Sequence, residues 1–207
     1  MIKVTYAEVK AFHLCESGLK SAARKLGGVK AWNATPASFA DLRSAGIPFD
    51  DLKWLTWKLA GKSDDAKRRL RLWTADCAAH VLHIYEEKGE SDAPRKAIIA
   101  ARARARREIS DAAATAAYAA AFAAAGRRAP PLSAAYAAAY AAAGAAAFAA
   151  AFAFAAAAWG AIAAGRCATP LSDAALSTEE AWQLDRLVAF FSDQEPEDWP
   201  LPELQII

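Results

Sequence analysis

From Tyr118 to Phe152 aromatic residues recur at four-residue steps inside a run of alanines: Tyr118 and Phe122, Tyr136 and Tyr140, Phe148 and Phe152, with Gly144 standing in the gap. A run of alanine, the residue with the best helix propensity, dictates helix. Four residues advance about 400° on a helix of 3.6 residues per turn, so each aromatic is rotated about 40° from the last. The aromatic row therefore winds around its helix and asks for partners on several sides. Of the 59 alanines in 207 residues, 35 lie between Ala112 and Ala168, and between Ala112 and Gly165 the only charges are Arg127 and Arg128. Gly126 and Pro130-Pro131 interrupt the block, and Ser133 can cap a second helix reaching about Gly165, roughly 50 Å long. The pair reads as a helical hairpin in a closely packed scaffold, because alanine lets neighbouring axes approach. Membrane insertion is the weaker reading, since Phe148, Phe152, Phe154 and Ile162 each contribute only about −0.3 to −0.6 kcal/mol. An alanine surface exposed for lattice contacts would show a flat face free of aromatics, which a winding row does not offer.

The rest of the chain also reads as helix. Thr5-x-x-Glu8 is a capping box, and Phe12, Cys15, Leu19, Ala22 and Leu26 follow at three- and four-residue spacing up to Gly27-Gly28, which predicts one amphipathic helix. Thr35-Pro36 opens a short helix ending by Gly46, and Pro48 to Ala60 forms another, closed by Gly61. Ser63-Asp64-Asp65 starts a long helix whose apolar face is Leu70, Trp73, Cys77, Val81 and Ile84, ending at Gly89. Asp92-Ala93-Pro94 starts the next, predicted to run unbroken through Ile109 to Gly126. Ser177-x-x-Glu180 is a further capping box before Trp182, Leu184, Leu187, Val188, Phe190 and Phe191. The expectation is an all-α, multi-helix bundle of seven or eight helices with a long Ala-rich hairpin. Residues 1–110 make the helical body, 111–168 the hairpin packed on it, and 169–207 a closing helix and acidic tail, in one compact domain.

Charge is divided unevenly. Residues 1–168 carry 24 basic and 14 acidic side chains, whereas residues 169–207 carry one basic and nine acidic. Tail and body should attract each other. The tail's candidate binding residues are Glu195, Glu197, Asp198 and Trp199, and the body's basic charge is densest at Lys67-Arg68-Arg69-Leu70-Arg71 and at Arg102, Arg104, Arg106 and Arg107. The tail either docks on its own chain or is simply solvated, or else it mimics an acidic ligand of the basic helix or competes with one. Nucleic acid is not expected as a partner, because the arginines alternate with alanines and spread around the helix. Three scattered cysteines, Cys15, Cys77 and Cys167, and an N-terminus with early charges and no apolar stretch point to a reducing, cytoplasmic setting.

Candidate chemistry is sparse. Cys77-x-x-His80-x-x-His83 has a superficial zinc look, but three-residue steps turn by about −60° each and set Cys77 and His83 about 120° apart. With no second Cys/His cluster, neither metal nor cofactor is expected. A Cys77/His80 nucleophilic pair lacks a glycine-rich turn and oxyanion donors. The plain reading is a partly buried His80 held by an acid such as Asp76.

The stretch Leu70-Arg71-Leu72-Trp73-Thr74-Ala75-Asp76-Cys77-Ala78-Ala79-His80-Val81-Leu82, followed by Ile84-Tyr85-Glu86, Asp92-Ala93-Pro94-Arg95-Lys96-Ala97-Ile98 and Ala100-Ala101-Arg102, resembles the core of a bacterial and phage family of immunity proteins. Cys15-Glu16-Ser17-Gly18-Leu19, Trp182-Gln183 and Arg186-Leu187 resemble the flanking helices of phage-borne members, which share an alanine-rich middle. The chain departs from the family pattern at Ala79 and His83. The resemblance implies an all-helical protein that binds and blocks another protein, with no catalytic residues to carry over. Asp76, Cys77, His80, Arg95 and Lys96 match the motif, and Arg102 and Arg106 extend it as candidate binding residues; Asp76 is placed to reach His80 or Arg95. The expected function is non-catalytic inhibition of a toxin or host defence protein, with no membrane and a possible homo-oligomer. A self-assembling structural protein is the alternative, and an enzyme using Asp76, Cys77 and His80 comes third.

Overall fold

In a computed structural model, residues 1–14, 16–80, 82–86, 92–128, 173–192 and 195–201 are described, without the side chains of 84, 85, 118, 122–128, 173–177 and 179. The second alanine helix, its Ser133 cap and the hairpin it would complete lie outside the described residues, as do Cys15, Val81 and Cys167. The fold class is all-α: among the described residues every element longer than two residues is a helix. The chain forms two compact units, residues 1–70 with 184–196 and residues 71–183 with 197–207.

The first unit begins with β1 (Lys3–Val4), α1 (Tyr6–Ala11), α2 (Glu16–Lys25), α3 (Val29–Ala34), β2 (Ala37–Ser38), α4 (Phe39–Ser44) and α5 (Phe49–Ala60). It also takes in the start of α6 (Asp64–His80). The two short strands pair antiparallel, Lys3 with Ser38 and Val4 with Ala37. Thr5 and Glu8 form the capping box read from the sequence. The single helix expected over Thr5 to Leu26 is instead two, because His13 takes a left-handed φ of 58° after α1. Pro36 does not open a helix either. Ser38 and Asp41 make the capping box of α4 two residues later, so Ala37–Ser38 stays free to pair with β1.

Among the described residues three helix ends share one geometry, in which a left-handed residue lets two successive amides return to the last turn. Gly28 N–H reaches Ala23 O at 2.7 Å and Gly27 N–H reaches Arg24 O at 3.4 Å. Ile47 N–H and Gly46 N–H do the same to Leu42 O and Arg43 O. The third end lies after α8 (Ala93–Ala105), where Glu108 N–H meets Ala103 O at 2.9 Å and Arg107 N–H meets Arg104 O at 3.0 Å. Here the left-handed residue is Arg107, φ 63°, and not a glycine. The helix predicted to run from Pro94 to Gly126 therefore breaks at Arg106–Arg107.

The core of the first unit is aromatic. Trp32 is buried and donates its indole N–H to Val4 O at 2.9 Å, and Phe39 packs on Phe191 with ring centroids 4.6 Å apart. Arg69 closes the end of α10 (Asp173–Phe190) by donating Nη1 to Phe190 O at 2.7 Å and to Ser192 O at 2.9 Å. Phe190 O is one of the carbonyls that a helix C-terminus leaves without an internal partner. Asp65 holds Arg69 in place by accepting Nε at 2.7 Å.

The second unit contains the rest of α6, α7 (Leu82–Glu86), α8, α9 (Asp111–Arg128) and the first part of α10. α9 folds back against α8, and Ser110 starts it by accepting from Ala113 N–H at 3.2 Å. Ala97, Ala101 and Ala105 of α8 and Ala114 and Ala121 of α9 are buried, side chains small enough to let two axes approach closely. Pro94 occupies the first turn of α8 as expected. Ser177 lies inside α10, so its capping box with Glu180 does not start that helix. Because the expected helices over 5–26 and 93–126 are each divided and α3 is added, the described residues hold more helices than seven or eight.

Trp73 is fully buried on α6 and donates its indole N–H to Gln183 O at 3.0 Å. Trp73→Ala is expected to cost about 3–5 kcal/mol by losing the ring and leaving a cavity; an unchanged melting temperature would overturn its core placement. Two carboxylates make the fold acid-sensitive. Ser38 hydroxyl and amide hold Asp41 below its ordinary value of 3.8. Burial pushes Asp65 up, but hydrogen bonds and charge from Arg69 and Arg68 outweigh it and leave that group below 3.8 as well. A depressed folded value means stability that is present above 3.8 and lost as pH falls through the folded values. The urea midpoint should be flat near neutrality and drop below that pH, and drop less in Asp41→Asn/Asp65→Asn.

Candidate functional site

Three helical turns bring the candidate residues together. Asp76 and His80 are four residues apart on α6 and share one helix face, and Arg106, four residues after Arg102, is the residue that caps the end of α8. Asp76 is fully buried, and Arg102 is 7% exposed. A buried carboxylate is tolerated only when it is paired and hydrogen-bonded. Arg102 supplies the charge, with Nη2 2.8 Å from Asp76 Oδ1. The same oxygen accepts the backbone N–H of Trp199 at 3.0 Å.

Arg102 Nη2 also donates to Trp199 O at 2.6 Å, so both backbone polar groups of Trp199 are bound by the Asp76–Arg102 pair. Asp198, one residue earlier, forms an ion pair with Arg106 and lies 3.6 Å from Arg102 Nε. Charges thus alternate from Asp76 through Arg102 and Asp198 to Arg106. Beside them the Trp199 ring stands edge-on to His80 at 5.1 Å and to Trp182 at 4.9 Å. His80 itself stacks on Trp182 with centroids 3.8 Å apart and planes 16° from parallel. Such aromatic pairs are each worth about 0.5–1.5 kcal/mol beyond area burial. Asp198 and Trp199 are held in this cradle without secondary structure of their own.

The remaining candidates sit elsewhere. Arg95 grips Glu86 with two parallel bonds, Nε to Oε1 at 2.7 Å and Nη2 to Oε2 at 2.6 Å. Lys96 pairs with Asp92 on the surface. Asp76 forms an ion pair with Arg102, and Arg95 forms one with Glu86. Cys77 is a fully buried thiol outside any disulfide. Among the described residues no group of His, Cys, Asp and Glu can hold a metal ion, and no helix is long and apolar enough to cross a membrane. Arg104 is buried and donates Nε to Asp111 Oδ1 at 2.7 Å, tying the end of α8 to the start of α9.

In the first unit Glu195 accepts from Arg68 Nη1 at 2.8 Å. Glu195, more than Asp65 on the other side, holds the Arg68 guanidinium above its ordinary value. Glu197 is exposed. Trp182 is the site residue that sequence reading missed; its signal was a tryptophan on a short apolar helix, which is as well explained by core packing. Arg68 belonged to a recognised basic cluster, but nothing local said which acid it meets.

The Imm-5 like putative immunity protein family model matches residues 62–190, more than half of the chain. The chain belongs to that family. Asp76, His80, Arg102, Arg106 and Trp182 fall within the matched range, and Asp198 and Trp199 lie beyond it. No curated protein and no solved structure matches the chain.

Removing one partner of the buried pair should be costly. Asp76→Ala leaves Arg102 buried with less compensating charge and is expected to destabilise the fold by about 3–5 kcal/mol. Chemical denaturation reads this directly, and a loss under about 1 kcal/mol would place the pair among those solvated at the surface.

Proposed function

We propose that the chain is a non-catalytic inhibitor that protects a cell by binding a toxin or host defence protein and covering its working surface. The observation that carries this reading is the family match over residues 62–190. The arrangement of the matched helices agrees with it: Cys77 is buried, and the polar groups of Asp76, Arg102 and Arg106 engage one another and the tail instead of lining an open reactive centre. Charge complementarity would steer the encounter and set its specificity. The setting in this reading is the cytoplasm, with the inhibitor acting on its partner in solution.

The test captures proteins with the tagged full-length chain at low and at raised salt, then titrates the captured protein's own activity with the purified chain. Activity falling to a floor at one-to-one stoichiometry, and recovering as salt rises, is the expected outcome. A captured protein whose activity is untouched at saturation, or recovery of self-associated chains alone, would sink the inhibitor reading.

A further inference from the structure

The cradle on α6, α8 and α10 treats residues 198–199 as a peptide ligand is treated. It binds the backbone N–H and C=O of one residue, the carboxylate of the residue before it, and an aromatic ring, in a segment with no helix or strand of its own. Each contact reads a separate chemical feature. The backbone clamp needs a residue whose N–H and C=O are both open to it, Arg106 and Arg102 need an acid, and the His80–Trp182 stack presents a surface for an indole edge. Nothing in that recognition depends on the ligand being covalently joined to the cradle. The cradle residues lie inside the range matched by the family model and the segment lies outside it.

We propose that residues 197–201 are an internal stand-in occupying a peptide-binding site, and that the site's external ligand is an extended segment of the inhibited protein carrying Asp followed by Trp. The inhibitor reading supplies only the owner of that segment; the site itself is defined by Asp76, His80, Arg102, Arg106 and Trp182. An intramolecular occupant at high effective concentration holds the site until a better ligand competes, which raises the threshold for binding wrong partners. The acidic charge of the tail then acts as a filter: a segment without its own acid cannot displace Asp198 from Arg106.

Two measurements on the full chain decide this, and neither needs the partner. The first is amide exchange in the wild-type protein. The Trp199 N–H is expected to exchange at least a hundredfold faster than amides in the middle of α6, with little dependence on denaturant, as a locally opening segment does. Exchange at the rate and denaturant slope of the α6 core would make the tail a permanent part of the fold and overturn the proposal. The second is fluorescence anisotropy with a labelled peptide of residues 196–201, Pro-Glu-Asp-Trp-Pro-Leu. The chain carrying Asp198→Ala and Trp199→Ala should bind it at least tenfold tighter than wild type. Adding Arg106→Ala, or replacing the peptide's Trp with Ala, should remove that gain. A folded double variant that binds no better than wild type would overturn the proposal, and if the double variant does not fold, the exchange result alone decides. Dimerisation of the wild-type chain that the peptide blocks would assign the site to a second copy's tail and overturn the partner assignment. Failure here leaves the inhibitor titration unaffected, so the two readings fail separately.

Discussion

Asp76 is a carboxylate with no exposure to solvent, and the arrangement of the second unit follows from what it takes to keep it there. The cost of removing such a charge from water is several kcal/mol, and it is met only by a close counter-charge and further hydrogen bonds. Arg102 is the counter-charge and the Trp199 amide is the further bond. Arg102 ties the last turns of α8 to Asp76, and Arg106, at the cap of α8, meets Asp198. One buried charge thereby sets the position of a helix, a tail and an aromatic stack.

Arginine does comparable work at the other polar junctions. Arg69 satisfies the terminal carbonyls of α10, Arg95 forks onto Glu86, and Arg104 ties the start of α9 to α8. The planar guanidinium suits these roles, since it binds two acceptors in fixed directions and is poorly hydrated compared with an ammonium. Lysines in the chain are used otherwise: Lys58 lies over the rings of Trp54 and Trp57, Lys62 over Phe12, and Lys96 pairs with Asp92 at the surface. The basic excess is spent on specific joints: Arg95 and Arg104 bond acids within the body, whereas Arg68, Arg102 and Arg106 each meet an acid of the tail.

The helix boundaries show which signals a sequence makes visible. Ends marked by glycine at Gly27 and Gly46 fall where the sequence places them, because glycine takes the left-handed conformation at little cost, whereas α9 runs through Gly126 to Arg128. The same closing geometry at Arg107, and the left-handed turn at His13, carry no glycine, and both were read through as continuous helix. Starts behave alike. Thr5 with Glu8 works as a cap, but Ser177 with Glu180 has the same pattern inside a continuous helix, since packing of α10 outweighs a capping gain of about 1 kcal/mol.

By itself the sequence determined the class of the protein and the chemistry of its site. Alanine content, apolar spacing and the Trp73–Leu82 motif require helices and carry the family; the opposed charges of body and tail, and the residues Asp76, His80, Arg102, Arg106, Asp198 and Trp199, are all readable as types. Only the tertiary structure decided the pairing. Asp76 meets a residue 26 positions away and another 123 positions away, separations over which no local periodicity carries information. Which arginine faces inward on α8, which tryptophan stacks on His80, and where the tail lies are settled by how the helices pack, because the desolvation of each charge depends on neighbours from distant parts of the chain.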